Sequence, residues 1–231
     1  MSGFTRASAS LVLVALAAGA AAQTPPDPGL VATSRVVYIE VAPTQTSRAV
    51  DALKAYRQAT QKAVGISHVE VVQQVGRQNF FAIHETWSDG PSLQAHLTSA
   101  DNTKLRADLQ NALLSPIDDR VLASITSQRA RGTITNESIY VLTHADAAAR
   151  REDIPGMLRA LAAGARTENG NVLFDATVQP TRTNHFTVIE VWSGEEAYKV
   201  HVTAANTKTF RDTFAPLSGA LYDERLYKRI K

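Results

Sequence analysis

Phe80-Phe81-Ala82-Ile83-His84-Glu85-Thr86-Trp87-Ser88 returns 105 residues later as His185-Phe186-Thr187-Val188-Ile189-Glu190-Val191-Trp192-Ser193. Side chains alternate along a strand, so Phe81, Ile83, Glu85 and Trp87 share one face, and Phe186, Val188, Glu190 and Trp192 repeat it. Downstream the same offset pairs His96 with His201, Thr98 with Thr203, Ala100 with Ala205, Arg106 with Arg211, Asp118 with Asp223, Arg120 with Arg225 and Ile125 with Ile230. Ten identities fall within positions 85 to 125, where average composition predicts roughly two or three. The chain is therefore an internal duplication.

Upstream the offset continues through Phe81/Phe186, Gly65/Gly170 and the helical quartet Ala49/Ile154, Leu53/Leu158, Tyr56/Leu161 and Thr60/Ala165. The first strand slips, with Tyr38 placed on Tyr140 and a longer loop after it in the second copy. Each copy reads strand, helix, strand, strand, helix, strand. Val36 to Ala42 is a β-branched run, and Ala49, Leu53, Tyr56, Thr60 and Ala63 line one face of a helix that Gly65 ends. Gly76-Arg77 separates two strands, and a second helix starts near Ser92 and breaks at Asp101-Asn102, where Asn102 is read as a cap, as is Asn206. A βαββαβ order gives a four-stranded antiparallel sheet with both helices on one face, a ferredoxin-like α+β unit. Two such units in tandem can close their bare sheet faces into an eight-stranded barrel, held by burial at about 25 cal/mol per Å².

Of the 231 residues, 44% are apolar and 20% charged, with 24 Lys+Arg against 22 Asp+Glu and no cysteine. This is a globular composition. A net charge of +2 without a basic run argues against nucleic acid. Residues 1–22 read as a signal peptide: Arg6 is the positive start, Leu11 to Ala18 the short apolar core, and Ala20-Ala21-Ala22 the cleavage pattern. Export to the periplasm or medium is expected, with no stable membrane insertion after cleavage. Residues 23–34 read as a tether, 35–126 as the first repeat, 127–136 as a linker and 137–231 as the second repeat. Without cysteine the chain has no disulfide, thiolate ligand or catalytic thiol. The six histidines show no H-x-H or H-E-x-x-H spacing, so no metal site is predicted.

The two signature strands, each followed by a helix histidine, resemble the antibiotic biosynthesis monooxygenase family of dimeric α+β barrel proteins. The resemblance covers nearly all of the chain after residue 22, as two copies. It implies a packed barrel interior, a pocket between helices and sheet in each copy, and, in the oxygenase members, chemistry without metal or flavin. Because the pseudo-dimer is covalent, a monomer is expected. The heme-degrading branch uses an Asn on the first strand with a Trp and a ligand His on the second helix. Here those helix positions match His96 or His201 and Arg106 or Arg211, and the first strands carry no Asn, so that triad is not carried over.

Cofactor-free oxygenation needs a base that ionises a phenol or hydroquinone, after which the anion can reduce O2. His96 and His201 are the candidate catalytic bases, since imidazole titrates near neutrality. A helix histidine held by a backbone or Glu partner is the competing reading. Glu85 and Glu190, on faces with large apolar residues, must be paired, hydrated or raised in pKa. Arg106, Arg211, Arg120 and Arg225 are the candidate partners. Trp87, Trp192, Tyr38 and Tyr140 complete the candidate substrate-binding set, with core packing as the alternative for each. The expected partners are a small aromatic or quinol-like substrate and O2, with no cofactor; the rival functions are a non-catalytic binding or stress-related barrel and, third, a heme-associated protein that binds through another histidine.

Overall fold

The computed structural model describes residues 31–127, 130–148 and 153–230. The signal-peptide reading, and the tether through residue 30, lie outside these residues. The first copy runs β1 (Ala32–Glu40), α1 (Thr46–Thr60), β2 (Ile66–Gln74), β3 (Phe80–Trp87), α2 (Gly90–Leu97), α3 (Ala100–Leu109) and β4 (Asp118–Ser124). The second runs β5 (Ile139–Asp146), α4 (Ile154–Ala165), β6 (Asn171–Gln179), β7 (Arg182–Trp192), α5 (Glu195–Thr203), α6 (Ala205–Phe214) and β8 (Asp223–Arg229). β1 thus begins inside the segment read as tether. The second helix of each copy is in fact two. In the first copy the break falls at Thr98-Ser99, where the Ser99 hydroxyl accepts from the Asn102 amide. Ser99 is the cap that the sequence reading assigned to Asn102.

The strands close into one antiparallel barrel in the order β1-β3-β2-β8-β5-β7-β6-β4. Each copy supplies four contiguous strands, and the copies meet at two short seams. Val72 to Gln74 pair with Arg229 to Tyr227 at one, and Ala123 and Ser124 pair with Val178 and Thr177 at the other. Strand alternation separates the cores. Val37, Ile39, Val71, Phe81 and Ile83 face α1 and α3, where they meet Leu53, Tyr56, Leu105 and Leu109. Val141, Phe174, Phe186 and Val188 face the second helical layer. The barrel interior is a third core, built from both copies around Val36, Tyr38, Leu122, Tyr140, Leu142, Ile189 and Tyr227.

Strand pairing corrects the alignment of the first strands. Val37 lies opposite Ile83, whereas Thr143 lies opposite Val188. β5 therefore corresponds to β1 displaced by 106 residues, Tyr38 to His144 and Arg35 to Val141, and the match of Tyr38 to Tyr140 does not hold. Both tyrosines point into the barrel, but from different rungs.

Gly65 and Gly170 hold equivalent turns with φ of +84° and +83°. A Cβ there would come within 2.5 Å of the Ser92 and Ala197 Cβ atoms on the following helices. Replacing either glycine by alanine combines left-handed strain with a backbone-anchored clash, so each variant should lose about 1–3 kcal/mol. Urea denaturation checks this: a lower midpoint at unchanged slope is expected.

Candidate functional site

In the first copy, six elements deliver polar side chains to one buried point beneath the helices. Arg35 on β1 lies directly opposite Glu85 on β3, both on the helix-facing side. The two are almost fully buried. Arg35 grips Asp119 of β4 with two parallel bonds, Nε to Oδ1 at 2.8 Å and Nη2 to Oδ2 at 2.7 Å, the strong bidentate form. Nη2 also donates to Asn102 Oδ1 at 3.0 Å, and Nη1 to Tyr56 Oη at 3.2 Å and Glu85 Oε2 at 3.4 Å. The Trp87 indole N–H donates to the same Glu85 oxygen at 3.3 Å.

The Tyr56 hydroxyl donates its only proton to Glu85 Oε1 through a short hydrogen bond. His96 Nε2 lies 2.7 Å from the Tyr56 oxygen. That oxygen can only accept here, so Nε2 must carry a hydrogen, and in the neutral ring the lone pair then lies on Nδ1. Nδ1 has no hydrogen-bond partner among the described residues. The ring itself packs on Trp87, with centroids 4.5 Å apart. Burial pushes the Glu85 carboxyl up, but His96, whose Nε2 lies 3.6 Å from Oε1, the Arg35 charge and the Tyr56 hydroxyl outweigh it and hold the group below its usual range. Burial and the Glu85 charge push the Tyr56 phenol far above its ordinary value.

The second copy keeps the carboxylate, indole and imidazole but not their partners. Val141 stands opposite Glu190, and Leu161 occupies the position of Tyr56. Trp192 Nε1 donates to Glu190 Oε2 at 2.8 Å, and His201 Nε2 lies 3.4 Å from that oxygen. His201 Nδ1 lies 3.0 Å from Glu168, so both ring nitrogens are engaged. With no guanidinium against it, burial pushes Glu190 up to about 8. Burial pushes the His201 imidazole down, against the pull of Glu168. Burial thus favours the protonated carboxyl of Glu190 and the neutral ring of His201.

The structure brings together Glu85, Trp87 and His96, and likewise Glu190, Trp192 and His201. It separates Tyr38 and Tyr140 from both groups: strand parity turns them into the barrel, where the Arg120 and Arg225 guanidinium carbons lie 5.4 and 5.7 Å from the Tyr38 ring centre. The expected arginine partners pair elsewhere, Arg106 with Asp119, Arg211 with Glu224, Arg120 with Asp118 and Arg225 with Asp223. Arg35, the residue that pairs with Glu85, was missed. Its signal is a charge two residues before Val37 on the same strand face. Asn102 holds Arg35 and donates to the Leu97 carbonyl at 2.7 Å; its counterpart is Thr207, not Asn206.

The expected hollow beneath each helical layer is filled by these side chains. Cavities of about 410, 500 and 490 Å³ lie elsewhere, and none has Glu85, His96, Glu190 or His201 in its wall. The second of them is walled by Asp119 and Gln94, so it abuts the first cluster. Among the described residues no group of three or more His, Cys, Asp or Glu is placed to hold a metal ion, and no helix is long and apolar enough to cross a membrane.

Two stability experiments read the contrast between copies. Arg35→Met strands the Glu85 charge without its guanidinium and should cost about 3–5 kcal/mol. Glu190 binds its proton more tightly folded than unfolded, so its contribution is full below pH 4.5 and is lost as pH rises towards 8. Glu190→Gln should remove that loss. Denaturant unfolding between pH 5 and 8 is expected to show wild type losing stability relative to the variant by a few kcal/mol.

The antibiotic biosynthesis monooxygenase family profile matches residues 33–107 and 142–213. No curated protein matches the sequence. Among solved structures, a putative monooxygenase of Fusobacterium nucleatum superposes with a TM-score of 0.77 at 14% identity, over 88% of this chain and 94% of its own. One from Lactobacillus acidophilus gives 0.69 at 12%, over 86% and 94%. An anthrone oxidase-like protein gives 0.66 at 10%, over 89% and 94%. At such identities these structures share the fold with this chain. The two profile matches together span well over half of the sequence and fall one on each βαββαβ unit, so the chain belongs to the antibiotic biosynthesis monooxygenase family, as a tandem pair.

Proposed function

We propose that this protein oxygenates a small phenolic or quinol substrate without a cofactor, and that the first copy is the working half. The observation that carries this reading is His96, whose Nε2 is committed to Tyr56 while Nδ1 has no partner among the described residues. His201 offers no such nitrogen, because Glu168 and Glu190 flank both sides of its ring. In this reading the substrate enters from the cavity of about 500 Å³ that abuts the cluster at Asp119, within the size range of small-molecule sites, and the side chains between that cavity and His96 move aside for proton transfer.

His96 Nδ1 takes the phenolic proton, and the phenolate passes one electron to O2. The resulting aryloxyl radical and superoxide combine into a carbon–oxygen bond. The peroxide anion recovers the proton from His96, and the hydroperoxide loses water with the ring hydrogen to leave a quinone. One phenol and one O2 thus give one quinone and one water. Tyr56, Glu85 and Arg35 are positioning residues that fix the imidazole tautomer, and Trp87 fixes its plane. Export, read from Arg6 and the apolar segment Leu11 to Ala18, and a monomeric state, read from the covalent pairing of copies, belong to the same proposal.

The burial of His96, which is 5% exposed, favours a second reading in which the barrel binds a small molecule without turnover. Oxygen consumption with a hydroquinone panel separates the two. The oxygenase reading expects uptake above the autoxidation blank, a loss of at least ~100-fold in His96→Ala, and near wild-type rates in His201→Ala. Uptake equal to the blank leaves the binding reading; equal loss in both variants contradicts the assignment to the first copy.

A further inference from the structure

At one end of the barrel, β2 runs past the seam: only Val72 to Gln74 pair with β8, and His68 and Glu70 continue beyond it on the inward-facing side. A cavity of about 410 Å³ opens at this mouth, with Ile134 of the inter-repeat connection in its wall. Two guanidiniums meet there from different copies. Arg57 of α1 places Nε 3.0 Å from one Glu70 oxygen, and Arg229 of β8 places Nε 2.9 Å from the other. Glu70 is itself 4% exposed.

Both arginines pair through Nε with this shared carboxylate, Arg57 as a charge contact without hydrogen-bond geometry. Arg229 Nη1 donates to the Ile134 carbonyl at 3.2 Å, while the terminal nitrogens of Arg57 have no partner among the described residues. Two positive charges thus face one negative charge. The second wall element is an orphan: His68 Nε2 is buried without a hydrogen-bond partner. Burial, with Arg57 and Arg229 nearby, pushes that imidazole down to about 4, so it is neutral at pH 7. Ser67 adds a hydroxyl, and Ile66 and Ile134 add apolar surface.

We propose that this mouth is a ligand site, separate from the His96 cluster, for a small monocarboxylate with an apolar body. The carboxylate offsets the surplus guanidinium charge and accepts from Arg57, whose planar fork suits a two-oxygen anion. His68 lines the same wall, and the apolar part of the ligand lies on Ile66 and Ile134. This assignment does not depend on the oxygenase reading.

The test is calorimetric titration of the full chain at low ionic strength with sodium benzoate, against benzamide as the uncharged shape control and sodium phosphate as the inorganic control. Saturable benzoate binding is expected, weakened at least ~10-fold by Arg57→Gln and by 0.5 M salt, with benzamide inert. Ser67→Trp, at an exposed strand position, occludes the cavity without touching the ion pairs, and should also abolish binding with the fold intact by circular dichroism. A histidine NMR signal that moves on titration and is missing in His68→Gln places the ligand. No saturable binding, binding indifferent to both Arg57→Gln and Ser67→Trp, or phosphate binding as tightly as benzoate would overturn the proposal.

Discussion

Closure of the sheet is the constraint on which everything else rests. A four-stranded ferredoxin-like unit covers one sheet face with helices and leaves the other in water. Here the two bare faces meet, and the seams that join them are short, three and two ladder pairs with a few flanking backbone bonds. So few backbone bonds cannot hold the halves alone; the contacts among Val36, Tyr38, Leu122, Tyr140, Leu142, Ile189 and Tyr227 do so. Burial of that shared core fixes strand parity, and parity decides which side chains lie beneath the helices.

The two copies solve the same electrostatic problem differently. Each buries a glutamate beside an indole and an imidazole. In the first, Arg35 compensates Glu85, and Asp119 in turn compensates Arg35, so the carboxylate stays charged. Breaking a buried pair costs far more than never having built one. In the second, valine and leucine replace the arginine and tyrosine, and Glu190 meets the cost of burial by keeping its proton. Neutralisation by a guanidinium and neutralisation by protonation both keep the fold, but only the first leaves an imidazole with an unoccupied nitrogen.

Much of this was legible in the sequence. The repeat placed Glu85, Trp87 and His96 together because strand alternation and helical spacing are local rules, and the same rules yielded the order of elements and the barrel. What failed was non-local. The partner of Glu85 depends on which residue of β1 stands opposite it, and register is set by packing across strands. A similar pair of tyrosines suggested a displacement of 102 residues, where the pairing requires 106. The filled space beneath the helices was equally hidden, since it depends on Arg35, Tyr56 and Trp87 converging from three elements.

Joining the copies in one polypeptide releases them from a restriction that binds every homodimer. When two identical subunits form a barrel, any substitution appears twice, and a change that disables one centre disables both. Here Arg35 stands in the first copy and Val141 in the corresponding place of the second, so each half is free to change alone.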